Sequence, residues 1–153
     1  MSNSQATHAD AELILKLYDL RREAVMREAR NFVFQLTLNS IDDLMLVASA
    51  QGQKENAYIR QVYGYWDMVA ALVSHGTLNA LLVYDTCHEM YFVYAKIQPF
   101  LNEFRQRMGM PDFLASLEKL VEGSTEGRER VARLQKLQAE WSRMRAEAAK
   151  QGA

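Results

Sequence analysis

The sequence predicts an all-α fold, an up-and-down helical bundle of about five to six helices that forms one domain over residues 1–153. Only two prolines and seven glycines occur in 153 residues, and the chain is rich in Ala, Leu, Glu, Gln, Arg and Met, which favour helix. No segment alternates apolar and polar residues for long enough to predict a strand. We expect short loops and fraying over residues 1–8 and 150–153.

Capping signals divide the N-terminal half into three predicted helices. Apolar residues recur every three or four positions through the first. Asn39 or Ser40 is a predicted N-cap, with Asp42 and Asp43 in the first turn, where the helix dipole favours negative charge. Gly76 is expected to end the third helix in the left-handed conformation. These helices are predicted at residues 9–36, 41–50 and 56–75.

The C-terminal half predicts three more helices, of which the first and last are long. Thr77 is a predicted cap for the fourth helix, and Pro99 should kink or restart it near Gln98 because proline lacks a backbone donor. Pro111 and Asp112 resemble the first turn of a fifth helix, and Gly123 is expected to end it. These helices are predicted at residues 78–108, 112–122 and 124–149.

Composition predicts a globular protein of the cytoplasm. The formal net charge is −1, so no global field attracts nucleic acid or an anionic membrane, and no strong nucleic-acid signal is present. A single cysteine cannot form an internal disulfide, which favours a reducing compartment. No window has the run of apolar residues that a membrane span needs.

Residues 84–92, YDTCHEMYF, bring together the side chains that most resemble a reactive site. Asp85, His88 and Glu89 have the three- and four-residue spacings that share a helix face, which makes them a candidate metal site. The favoured interpretation is structural: Cys87 and His88 lie in a central helix, and Asp85 and Glu89 lie on a solvated edge. No catalytic residue, metal or cofactor is predicted.

A ligand pocket between helices is the other chemical possibility. Arg21 and Glu28 fall on the apolar face of the first helix and need partners there, such as Asp67 or Asp85 for an ion pair. Aromatic side chains of the central helices add stacking surfaces. The candidate pocket residues are Trp66, Tyr84, His88, Tyr91, Arg21 and Glu28.

The last predicted helix carries a narrow apolar stripe flanked by charges of both signs, which is typical of a coiled-coil partner. Two interpretations remain open: the stripe packs back on the first helix, or it pairs with a second subunit in a homodimer. The stripe consists of Val131, Leu134, Leu137, Trp141 and Met144.

The segments WDMVAALVSHGTLNALLVYD and IQPFLNEFRQRMGMPDFLASLEKL resemble a family of uncharacterised bacterial all-helical proteins, a domain of unknown function, over residues 56–122. That resemblance implies a helical fold and no catalytic residue. Members often carry an N-terminal membrane helix, whereas a charged amphipathic helix is predicted here. The matching positions are Trp66, Asp67, Gly76, Leu78, Asp85, Pro99, Arg105 and Phe113.

The function that follows is a non-enzymatic protein-association module that acts as a homo-oligomer. The alternative is a metal- or small-molecule-binding bundle, with or without enzymatic activity, that uses Asp85, His88 and Glu89.

Overall fold

A computed structural model describes residues 5–152 and shows that the protein is all-helical there. The predicted fold class is confirmed, but the helices are shorter and more numerous than predicted. They are α1 (His8–Arg22), α2 (Ala24–Gln35), α3 (Ile41–Ser49), α4 (Lys54–Ser74), α5 (Ala80–Thr86), α6 (Glu89–Ile97), a 3-10 turn (Gln98–Phe100), α7 (Leu101–Met108), α8 (Ala115–Glu122) and α9 (Thr125–Gln151).

Helix α4 is the centre of the bundle and packs against α2, α3 and α8, whereas α6 packs against α8 and α9. In α4, Val62, Trp66 and Val69 have no solvent exposure, which agrees with the single buried face that their spacing predicts. Helix α6 is buried on most of its circumference, as expected for a central helix. Its buried residues are Met90, Tyr91, Val93, Tyr94, Ala95 and Ile97.

The first predicted helix is interrupted at Glu23, so the expectation of one helix over residues 9–36 is wrong. Glu23 leaves the helical conformation with ψ of 141°, and its carboxylate accepts the amide of Met26 at 2.9 Å. A side chain that caps the next helix satisfies backbone donors left free by the break. The change of direction allows α1 and α2 to pack against each other.

The fourth predicted helix is interrupted at two places. Cys87 and His88 separate α5 from α6, a break that no proline or glycine signals. Pro99 lies in the 3-10 turn that follows α6, so the restart predicted near Gln98 is confirmed. The cap of α5 is Asn79, whose side chain accepts the amide of Leu82, and the prediction of Thr77 was wrong.

Other helix ends follow the predicted signals. Ser40 and Asp43 form a reciprocal capping box at the start of α3, the arrangement in which two free donors are satisfied together. Gly76 has φ of +70° just beyond α4, a conformation that glycine adopts without a steric penalty.

The prediction that the fifth helix begins at residue 112 is wrong. Residues 111–114 form turns, and α8 begins after them. Leu114 adopts the left-handed conformation with φ of +57°. The side chain that caps α8 comes from another helix: Asp67 of α4 accepts the amide of Leu117 at 2.9 Å. This long-range cap joins two helices that a sequence pattern treats separately.

Helix α9 starts at a crowded point. Ser124 caps it by accepting the amide of Gly127 at 3.0 Å, and a Cβ atom at Gly127 would overlap the carbonyl oxygen of Val121. Only glycine therefore allows α8 and α9 to approach so closely.

Fraying of the chain ends stays a prediction, and over the described residues helices lie close to both ends. Thr7 and Asp10 form a capping box at the start of α1, and α9 continues to Gln151. Residues 1–4 and 153, which the fraying prediction also covered, lie outside the described residues. Within residues 5–152, no helix combines the length and the apolar character that crossing a membrane requires.

Candidate functional site

Glu89, at the start of α6, is the centre of a polar cluster between α1, α2 and α4. Its Oε2 atom accepts hydrogen bonds from Arg21 Nη2 at 2.8 Å and from Arg30 Nε at 2.9 Å. Its Oε1 atom accepts Trp66 Nε1 at 3.3 Å and Arg30 Nε at 3.0 Å. One carboxylate thus joins side chains from three other helices. The prediction that Glu89 lies on a solvated edge was wrong.

Arg21 lies close to two aromatic rings within this cluster. Its guanidinium lies 4.9 Å from the centre of the Tyr18 ring and 5.3 Å from that of Trp66, distances at which cation–π attraction operates. The side chain is 11% exposed, and its ion-pair partner is Glu89. Sequence reasoning expected a partner for Arg21 but named Asp67 or Asp85.

Electrostatics keep Glu89 ionised. Burial acts to raise the pKa of its carboxyl group, but the hydrogen bonds and positive charges of Arg30 and Arg21 outweigh that effect and lower it. A carboxylate with a depressed pKa and two guanidinium partners is a weak proton acceptor. The cluster is therefore suited to holding helices together, and Glu89 is poorly suited to act as a general base.

The helix break beside Glu89 is fixed by tertiary contacts. The hydroxyl of Tyr18 donates to the carbonyl oxygen of Thr86, which ends α5. Cys87 is 2% exposed, and burial raises the pKa of its thiol. The predicted core position of Cys87 is confirmed, and its chemistry is that of an unreactive buried thiol.

The three candidate metal ligands lie apart. Asp85 and His88 are exposed, His88 Nδ1 lies 2.7 Å from Arg130 Nη2, and Glu89 points to Arg21 and Arg30. Between Gln5 and Gly152, no three His, Cys, Asp or Glu side chains are placed to hold a metal ion.

The six candidate pocket residues do not surround one cavity. Arg21 and Trp66 meet at Glu89, but Glu28 accepts a hydrogen bond from Tyr58 at the surface. Tyr84 donates to the carbonyl of Leu120. The guanidinium of Arg130 lies 4.4 Å from the centre of the Tyr91 ring. These side chains have separate packing roles.

Surface features close to Glu89 were missed by sequence reasoning. A cleft of about 350 Å³ is lined by Arg27, Arg30, Asn31, Phe34, Glu89, Phe92 and Val93. The Phe34 and Phe92 rings stack at 5.0 Å, and Trp141 lies 6.2 Å from each. The only sequence signal was Phe34, an aromatic residue at a position that α2 leaves exposed.

Helix α9 is covered unevenly along its length. Val131 is buried and Leu134 is half-buried against the body of the protein. Trp141 is 36% exposed and Met144 is 64% exposed, and from Arg143 to Gly152 every residue is exposed. The N-terminal part of the stripe therefore packs within the chain, chiefly on α6. The C-terminal part is exposed at Met144 and partly covered at Trp141, which lies near Phe34 and Phe92.

Several positions that carried the family resemblance have structural roles. Asp67 caps α8, and Leu78 is buried. Arg105 donates to the carbonyl of Phe113 at 2.9 Å and pairs with Glu118. Such contacts fix the relative positions of α4, α7 and α8.

The fold and this cluster define an all-helical protein whose central polar side chains join its helices. Residues 6–124 match the family described as "Domain of unknown function (DUF4760)", and the chain belongs to that family. The resemblance to an uncharacterised helical family is confirmed and extends further than residues 56–122. Neither the curated proteins nor the solved structures give a match.

The family match ends at Ser124, which is the N-cap of α9. The bundle from α1 to α8 thus corresponds to the family domain, and α9 follows it.

Proposed function

We propose that this protein is a non-enzymatic association module that pairs with a second copy of itself through the C-terminal half of α9. The supporting observation is the exposure of Trp141 and Met144 on α9. Apolar side chains at three- and four-residue spacing stabilise a helix pair when a second helix removes them from water.

The composition of the exposed surface favours a protein partner. Trp141 lies beside Phe34 and Phe92, and Met144 follows one turn later. Aromatic residues and methionine are enriched in interface cores, and arginine at their margins. Arg143 and Arg145 flank the stripe here.

A second copy is the partner that the charges favour. Beside the stripe, α9 carries the acidic residues Glu140 and Glu147 as well as Arg143 and Arg145. A surface with both signs can be complementary to itself across a two-fold axis. The net charge of −1 adds little repulsion between two copies. The stripe is short, so we expect a weak dimer at the small end of interface sizes.

Sedimentation equilibrium with a matched pair of variants tests the proposal. Met144→Glu places a charge in the stripe and should weaken dimerisation at least tenfold, which is about 1.4 kcal/mol. Ala132→Glu adds the same charge at an exposed position of α9 that is off the stripe, and should leave the dimer intact. The proposal would be overturned if the wild-type protein remained monomeric at about 1 mM. The free energy of association would then be smaller than about 4 kcal/mol.

A further inference from the structure

A second surface of α9 forms a groove with the segment that follows α2. The groove has a volume of about 560 Å³ and lies between residues 36–39, the end of α6 and the second half of α9. It continues into a wider cleft of about 750 Å³. Ser142 and Ala146 line both. They are four residues apart on one helix face, whereas Met144 lies midway between them and points elsewhere.

Three cations converge on this groove. Lys96 and Arg143 line the narrower part and Arg145 the wider part. No Asp or Glu of residues 5–152 lines either part, and the ion pairs among those residues do not include these three cations. Like charges brought together without a carboxylate repel one another, so an anion from outside the chain would stabilise the arrangement.

Lys96 is the most constrained of these cations. Its ammonium donates to the carbonyl oxygen of Leu36 at 2.7 Å and lies 5.1 Å from the centre of the Phe92 ring. Burial and the charge of Arg145 lower the pKa of Lys96 to about 8. One hydrogen bond to a neutral carbonyl leaves an ammonium group with two further donors.

Apolar side chains also line the groove, and its walls are braced. Leu38, Pro99 and Phe100 line it beside Lys96. Gln135 donates to the carbonyl of Ala95 at 3.2 Å, and Gln138 donates to that of Phe92 at 2.9 Å. These bonds hold α9 against α6, so the groove is a preformed feature of the folded chain. A concave apolar surface with a few convergent polar groups is the usual form of a ligand site.

We propose that this groove binds a small amphiphilic anion, with its carboxylate or phosphate group at Lys96 and Arg145 and its apolar body along Leu38 and Phe100. The headgroup receives charge-assisted hydrogen bonds, and the body removes apolar surface from water. The groove lies on a different face of α9 from Met144, and Arg143 and Arg145 lie between the two surfaces.

Calorimetric titration with decanoate below its micelle concentration tests this site. Decanoate should bind, and decanol, which has the same chain without the charge, should bind at least tenfold more weakly. Decyl phosphate and inorganic phosphate distinguish the two headgroups and measure the contribution of the chain. No binding of decanoate or decyl phosphate at millimolar concentration, or equal binding of decanol, would overturn the proposal.

Variants at position 96 connect binding to the groove. Lys96→Met should weaken decanoate binding at least tenfold, while Lys136→Met, at an exposed cation elsewhere on α9, should not change it. Between pH 7 and pH 9 the wild-type affinity should fall about tenfold as Lys96 loses its proton, since a pKa of about 8 lies in that window. Lys96→Arg should bind decanoate without this fall. A Lys96→Met protein that melts cooperatively and binds as tightly as wild type would exclude the groove.

Discussion

The Glu89 cluster and the Lys96 groove both gather cationic side chains at the edge of the core, but only the cluster contains a carboxylate. Arg21 and Arg30 share the two oxygens of Glu89. Lys96, with Arg145 near it, has only the carbonyl of Leu36 as an acceptor within residues 5–152. The cations of the cluster share a carboxylate of the chain, whereas those of the groove lack one within the described part of the chain.

This difference separates a structural polar cluster from a site that can take a ligand. Desolvated charges stabilise a fold only when their partners are present and well oriented. In the cluster, all partners come from α1, α2, α4 and α6, so removing one should damage the fold. In the groove, removing the cation should leave the fold intact and change only what binds there.

The largest expected effect is that of Glu89→Ala. Loss of the carboxylate leaves Arg21 and Arg30 partly buried without a counter-charge, and we expect the free energy of unfolding to fall by about 3 kcal/mol. Urea denaturation measures the change. Alkylation of Cys87, buried beside the cluster, should also become faster in the folded variant.

Glu129→Ala is the matched control, because Glu129 pairs with Arg133 on the exposed surface of α9. Exposed ion pairs contribute little to stability, so the urea midpoint of Glu129→Ala should equal that of the wild type. An equally small effect of Glu89→Ala would mean that the cluster is not structural.

Asp67→Ala should have a smaller effect, because Asp67 accepts a backbone amide at the start of α8 and does not neutralise a cation. Loss of a helix cap typically lowers stability by about 1 kcal/mol. Urea denaturation provides the comparison, and Asp67→Asn, which keeps an acceptor oxygen, should recover most of the loss. A loss as large as that of Glu89→Ala would contradict the distinction between a cap and a charge partner.

Lys96→Met should change stability less than Glu89→Ala or Asp67→Ala, and in the opposite direction. The variant removes a partly buried charge that lacks a carboxylate but keeps an apolar side chain of similar length. Because solvent screens this partly exposed group, the expected gain is below about 1 kcal/mol. A clear loss of thermal stability would show that the contacts of Lys96 with Leu36 and Phe92 outweigh the burial of its charge.

The pH dependence of Lys96 gives a smaller difference with a definite sign. Its pKa in the folded protein, about 8, is below the ordinary value of 10.5, so the unfolded chain binds more protons between those values. The unfavourable effect of Lys96 is therefore complete below pH 8 and is relieved as the pH rises. Wild-type stability should increase relative to Lys96→Met between pH 8 and pH 10. A constant difference would contradict the lowered pKa.

Sequence patterns predicted the features whose physical cause is local. Ser40 and Gly76 mark helix ends because capping and left-handed conformations depend on the residue itself. The apolar spacing of α4 predicted that Trp66 faces the core.

The missed features depend on residues that are distant in sequence. Glu89 resembles a solvated residue until Arg21 and Arg30 of other helices are placed beside it. The break at Cys87 has no local signal, since the contact of Tyr18 with Thr86 and the ion pairs of Glu89 fix it. Lys96 and Arg145 are 49 positions apart, so only the packing of α9 on α6 reveals their proximity.

The absence of a side chain at Gly127 determines the direction of α9 and therefore the position of its C-terminal end. Any larger residue would meet the Val121 carbonyl and force α9 to tilt at its first turn. A helix of 27 residues is about 40 Å long, so a tilt of about 10° moves its tip by about 7 Å. Adding one methyl group at Gly127 would therefore displace the C-terminal end of α9, while the helices before it stay folded.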